Sequence, residues 1–573
     1  MRTCSKCNVH VPEAEAKFCP VCGGPLAASR NKSKITLIIA SVACLVLIIA
    51  FVSWAIIVHS RSAYAAVIAP EGTDMFCVIN PDLGQVKNFN RIKDIYMSIP
   101  EVKKILDDYQ NQLKKDSDID YENDIKPWLG REVAFMMPDV DTINHSKPGV
   151  LVTVATKNKK KTDLFLEKVR SKLEREGADF QERDYQGIKI TVQEERSGYT
   201  PLVYAYVRNF LLLSDSEDLI CQAIDKSKDK GQGSLSKNQD YKNVMAQLPK
   251  SRLGSMYIDF RDLAGAISRE SDLNFDQLHQ LQLYKGMGLS LSCEDEGVRL
   301  DYVLACNPEK TEIGDTESSR SGSLAGTLNI TPGDAIAYFG CADLKTALEN
   351  LNRDIENLRY GEDYGENIEQ ELGIDLEHDV FSWMRGEIAF AVLPDNTTFF
   401  GSSGSNLGMY AMIGVSDSQR ASSKTEMIMH RMIENSEFEK DDETINGQEV
   451  HLVRDLYTGN VAFGYGFRND YLIIGSSLET LRKAMGSNSV ALANSAAFRE
   501  AIGNKTHSDT CLFVDIRKGL DLFRSSMGES ERQEFNEEVY PFIKPIKSVS
   551  FTTEKTKTKD QFVRGGLLVS ITQ

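Results

Sequence analysis

Four cysteines near the start of the chain, Cys4, Cys7, Cys19 and Cys22, are the residues whose type and spacing most clearly specify a chemistry. They form two Cys-x-x-Cys turns with eleven residues between them, followed by Gly23-Gly24-Pro25. Each turn offers two thiolates from one tight loop, and four thiolates complete the tetrahedral shell of one Zn²⁺. With every coordination position taken by protein, no place remains for a reactive water, so the expected ion is structural. A segment this short has almost no apolar core, and metal binding, on the order of 10–16 kcal/mol, would be its folding energy. A redox dithiol or disulfide and iron–sulfur ligation are the competing uses of the same thiols.

The knuckle Phe18-Cys19-Pro20-Val21-Cys22-Gly23 resembles that of a short zinc ribbon, a resemblance confined to a domain at residues 1–27. Elsewhere the chemistry is sparse. The eight histidines are scattered, with no pair at ligand spacing and no His-Glu-x-x-His helix. Nucleophile elbow, Walker loop and dinucleotide fingerprint are all missing from the sequence. Six cysteines beyond residue 76 sit in apolar runs, where a thiol acts as a small buried hydrophobe.

Some polar residues recur in order: Glu132 with Glu387, Arg208-Asn209 with Arg468-Asn469, and Asp259-x-Arg261 with Asp515-x-Arg517. Hairpin tips and helix caps explain them most simply, because Asn tolerates left-handed backbone and Asp accepts from free helical N–H groups. A paired ligand site or acid–base chemistry is the sharper alternative, and it requires the carboxylates to converge.

The elements that must position these groups are organised around residues 35–58, which pass between Lys34 and His59 without a formal charge. Fifteen of these 24 residues are Leu, Ile, Val or Phe, and a helix of that length, about 36 Å, exceeds a hydrocarbon core of about 30 Å. The expectation is a transmembrane helix in contact with the lipid bilayer, preceded by a basic linker at 28–34. Arg30, Lys32 and Lys34 place the ribbon in the cytoplasm and the bulk of the chain outside a cell membrane crossed once. Ala63-Tyr64-Ala65 has a cleavage-site pattern, but the apolar run is too long for a signal peptide.

Beyond that run the sequence is written twice at an offset of about 255–262 residues. Trp128-Leu129-Gly130-Arg131-Glu132 is answered by Trp383-Met384-Arg385-Gly386-Glu387, and Tyr257-Ile258-Asp259 by Phe513-Val514-Asp515. Short turns between apolar runs, as at Arg208-Asn209 and Glu294 to Gly297, require antiparallel strands. The expected fold class is α+β: a zinc ribbon, one transmembrane helix, then two tandem similar units with mostly antiparallel sheets. The units are placed at 65–310 and 327–573, joined by a Ser/Gly-rich linker at 311–326.

These landmarks resemble a bacterial family of membrane-anchored proteins catalogued as a domain of unknown function, with a Pro-x-Asp strand and a Trp-Leu-Gly-x-Glu-x-Ala segment. The second copy departs from that pattern at Arg385-Gly386. The resemblance implies no activity. A net charge of −17 argues against nucleic acid as a partner. The expected function is therefore that of a non-enzymatic envelope scaffold whose partner is a protein or another envelope component. The alternative is an extracytoplasmic hydrolase with acidic residues in a cleft between the two units.

Overall fold

The computed structural model describes residues 2–3, 10–11, 64–81, 88–117, 119–138, 149–194, 202–261, 283–307, 323–343, 373–395, 407–434, 436–486, 490–503, 508–554 and 561–572. Cys4, Cys7, Cys19 and Cys22 lie outside these; a two-residue antiparallel ladder pairs Arg2–Thr3 with His10–Val11.

Ten strands form the first half: β1 (Thr73–Ile79), β2 (Leu129–Pro138), β3 (Leu151–Thr156), β4 (Phe180–Tyr185), β5 (Ile188–Gln193), β6 (Val203–Val207), β7 (Phe210–Ser214), β8 (Gly254–Asp259), β9 (Tyr284–Cys293) and β10 (Gly297–Cys306). Ten more form the second: β11 (Ala337–Cys341), β12 (Met384–Pro394), β13 (Leu407–Val415), β14 (Phe438–Ile445), β15 (Gln448–Asp455), β16 (Val461–Arg468), β17 (Tyr471–Gly475), β18 (Thr510–Asp515), β19 (Ile546–Thr553) and β20 (Phe562–Ile571). The pairings run 4-5-6-7-3-2-1-8-9-10 in the first half and 14-15-16-17-13-12-11-18-19-20 in the second, so the order is the same.

The expected pair of separate sheets is corrected by one ladder. β10 pairs with β20 over nine residue pairs, from Gly297 with Ser570 to Ala305 with Phe562, and the result is a single antiparallel sheet of 20 strands. The physical reason is that each half ends in a strand with an open edge, and two such edges satisfy each other's N–H and C=O groups. At the outer ends, β4 (FQERDY) and β14 (FEKDDETI) carry dense charge. The expected transmembrane helix at 35–58 lies outside the described residues, among which no helix is long and apolar enough to cross a membrane.

Local chemistry accounts for the helices that dress the sheet. Pro100 separates helix Phe89–Met97 from Pro100–Ser117, where its missing N–H costs nothing at the first position. Asn158 and Asp417 cap the two long helices Lys159–Arg175 and Ser418–Ile433 by accepting from Lys161 and Arg420 N–H groups. One face of the sheet carries the two main cores. Phe76, Met136, Ile190 and Tyr257 belong to the first, and Tyr338, Met412, Ile473 and Phe513 to the second.

The seam between the halves has an unusual interior. Arg299 and Asp301 form a buried ion pair at 2.8 Å on β10, and Gly566 stands opposite Asp301 on β20. A Cβ on Gly566 would lie 2.7 Å from the Arg299 guanidinium and 2.8 Å from the Asp301 carboxylate. The glycine is required by this close approach.

Candidate functional site

The recurrent carboxylates occupy equivalent places without meeting. Glu132 on β2 accepts from the N–H groups of Ala65 (2.6 Å) and Tyr64 (3.1 Å), at the start of helix Ala65–Ile68. Glu387 on β12 accepts from the Thr327 hydroxyl (3.1 Å) and N–H (3.4 Å), in helix Ala325–Ile330, and from the Tyr471 hydroxyl (2.7 Å). Both carboxylates hold down a short helix. Burial pushes the Glu132 carboxyl above its usual range, against the two N–H donors that favour its charge.

Asp259 pairs with the Arg261 guanidinium and accepts from Tyr257, whereas Asp515 caps helix Ile516–Ser526 through the Lys518 N–H at 3.0 Å. Eight strands lie between β2 and β12 in the sheet. The nine inter-strand steps from β2 to β12 measure roughly 43 Å along the sheet, and Glu132 and Glu387 are each engaged by their own partners. The arginines are structural too: Arg208 donates to the Ser227 carbonyl (3.1 Å) and Arg468 to the Ala484 carbonyl (2.6 Å), each near the C-terminal end of a helix. The left-handed turn residues are Arg208 and Asn469, so the hairpins match one position away from the sequence alignment.

Sequence reasoning missed two polar sets. The first repeats around each tryptophan: Trp128 donates to the Asp124 carbonyl and Trp383 to that of Asp379, both at 2.6 Å. Lys168 and Lys424 donate to those two aspartates at 2.8 and 2.5 Å. The spacing Asp-x-x-x-Trp was the available signal. The second set is Asp442, Glu449 and His451, whose ligand atoms lie within 4.8 Å of one another. This trio has donors suited to a divalent cation, but it is largely exposed and His451 already pairs with Asp442 at 2.5 Å. Its members meet only across the β14–β15 hairpin, which a search for histidine spacing does not register.

Burial raises the thiols of Cys293 and Cys511 to about 12, away from the reactive thiolate. A cleft near the middle of the molecule lies between Ile95, Ile99, Leu520 and Tyr540, with Glu101, Arg517, Asp521 and Lys544 on its walls.

The largest chemical feature is the face of the sheet opposite the two cores. Successive strands place Phe135, Cys77, Met256, Leu289 and Tyr302 beside one another from β2 to β10. From the other half, Phe390, Phe339, Leu512, Phe551 and Leu567 follow from β12 to β20, and Leu567 then meets Leu300 of β10. A third row holds Met137, Met75, Ile258, Met287, Leu304 and Val563. None of these positions is charged. Phe135, Leu300, Phe339 and Phe390 are 37–48% exposed. Antiparallel sheets with one packed face normally turn polar residues to water on the other, so a second apolar face marks a surface that meets something apolar.

Helix Phe89–Met97 covers part of the centre with Phe89, Ile92 and Ile95, over Leu291, Val298 and Val569. Trp128 closes one end against Val133, Val152 and Val154, and Trp383 the other against Ile413. Helix Ile516–Ser526 adds Ile516 beside Val549 and Leu567, and among the described residues Phe135, Leu300, Phe339 and Phe390 stay exposed between these covers.

No curated protein matches the chain. Among solved structures, crystal form III of TP0453 is similar at a TM-score of 0.25 and 11% identity, covering 43% of this chain and 81% of that one. Crystal form I of TP0453 gives 0.23 and 10%, covering 43% and 80%. Likeness of that size carries no argument about function. The family comparison is broader, reaching from within the charge-free run to the last strand: residues 37–571 match the model described as protein of unknown function (DUF3352), and the chain belongs to that family.

Proposed function

We propose that this chain is a non-enzymatic binding scaffold held at a cell membrane, with the uncharged face of its sheet as the binding surface. The observation that supports this reading is the continuity of that face: apolar residues from both halves line up across ten strands, and four large side chains on it are exposed. The recurrent carboxylates, which an acid-lined hydrolase cleft would need together, are spent on helix caps and an ion pair in separate parts of the fold. The charge-free run 35–58 would hold the chain at the bilayer, with Arg30, Lys32 and Lys34 on the cytoplasmic side and the sheet on the outer side. In the cytoplasm, Cys4, Cys7, Cys19 and Cys22 would carry one structural Zn²⁺.

The test is photo-crosslinking in native membranes from a reactive residue placed at Phe390, on the face, and from another at Tyr457, which is exposed on the turn after β15. Capture from position 390 and none from 457 supports the reading. Equal capture from both, or none from 390, would overturn it. Protease added to intact spheroplasts should digest the sheet region; its protection until lysis would reverse the orientation.

A further inference from the structure

Resting on that reading of the uncharged face, we infer that its occupant is the acyl part of a membrane lipid. Three observations carry the choice. The first is chemical. The face offers aliphatic, aromatic and sulfur-bearing side chains, and the backbone groups beneath them are consumed by the ladder. A protein partner of ordinary kind would expect about one hydrogen bond per 100–200 Å² and a polar contribution to its recognition. A hydrocarbon chain asks for no polar contact at all.

The second observation is size. From β2 to β12 the strip crosses ten strands, about 43 Å at the usual spacing. The hydrocarbon core of a bilayer is about 30 Å thick, so the chains of one leaflet occupy about half of that. The strip is therefore longer than a single acyl chain of one leaflet.

Supply is the third. Only five residues, 59–63, separate the charge-free run from Tyr64, and at no more than about 3.6 Å per residue Tyr64 lies within roughly 22 Å of the end of that run. Tyr64 is tied by its N–H to Glu132 at 3.1 Å, and Phe135 stands three residues along the same strand, about 10 Å away. The Phe135 end of the strip is thereby held close to the bilayer whose chains it would receive.

The experiment uses the full chain reconstituted in phosphatidylethanolamine–phosphatidylglycerol vesicles containing a phospholipid with a diazirine in its acyl chain, followed by mass-spectrometric mapping of adducts. Adducts are expected on peptides carrying Phe135, Leu300, Phe339 and Phe390, with adducts in residues 35–58 as the internal control. Phe135→Asp with Phe390→Asp should lower labelling of the strip by at least about tenfold, since burial of a charge excludes hydrocarbon. Phe135→Leu should retain it, and unchanged thermal transitions in all variants show that the fold persists. Labelling confined to 35–58 overturns the inference. If lipid labelling is confined there while position 390 captures a protein in native membranes, the inference fails and the binding-scaffold reading stands; if position 390 captures nothing, both fail.

Discussion

Asp301 stands directly opposite Gly566 across the β10–β20 seam, and the two hold the same place in their own halves. Each is reached by two ladder steps, through Ser290 or Thr552, from the second residue of the strand that ends in Asp259 or Asp515. The two halves therefore meet at equivalent residues that cannot be alike. One supplies a carboxylate for Arg299, and the other makes room for the pair.

Gly566→Ala should destabilise the whole sheet by about 1–3 kcal/mol, the usual cost of forcing an atom into packed space. Arg299→Met, which leaves Asp301 buried without its partner, should cost more, about 3–5 kcal/mol. Thermal unfolding of each variant measures both. A Gly566→Ala chain as stable as the wild type would mean that the seam is looser than its contacts show.

Glu132 gives a pH signature. Its carboxyl is held above the ordinary glutamate range by burial, so the folded chain binds that proton more tightly than the unfolded chain. Its contribution to stability is then present below the unfolded value and lost as pH rises through the raised folded value. Glu132→Gln, which keeps one acceptor, should flatten the stability curve across that window. Glu132→Ala leaves two helix N–H groups without their acceptor and should cost about 1–2 kcal/mol at all pH values. Denaturant titrations from acid to neutral pH distinguish the two.

The Asp379–Lys424 pair has the opposite sign. The hydrogen bond from Lys424 lowers the Asp379 carboxyl, giving stability that is present above the unfolded value and lost as pH falls through the folded one. Lys424→Met should cost about 1–3 kcal/mol at neutral pH, reduced because Lys424 reaches solvent. The difference from wild type should close in acid. A gap that stays constant with pH would show that Lys424 acts by packing alone.

Zinc should control one end of the chain only. Full-length protein is expected to hold one zinc, Cys19→Ser to hold none, and a chelator to leave the unfolding transition of the sheet unchanged. Loss of that transition on chelation would mean that metal is needed well beyond residues 1–27.

Much of the local structure is legible in the residues. Pro100 divides two helices, the turn at Glu294 to Gly297 reverses β9 into β10, and Gly177 with positive φ follows the helix Lys159–Arg175. The seam is not legible, because pairing Val303 with Arg564 depends on two strand edges far apart in sequence and on no local period. The open face escapes for a different reason. Val298 to Leu304 alternates apolar residues with Arg299 and Asp301, a pattern that reads as apolar inside and charged outside, whereas in the assembled sheet the charged pair is buried and Leu300 is the exposed side chain. The Asp442–His451 pair likewise exists only after its hairpin has formed.

The seam also sets a clock. The final strand of the first half ends at Cys306, and its partner begins at Phe562, after 255 further residues. At about 5–20 residues per second of synthesis, β10 waits roughly 13–50 s for β20. Throughout that interval the nascent chain presents an unpaired strand edge, so the newborn protein depends on that edge being shielded until β20 has emerged.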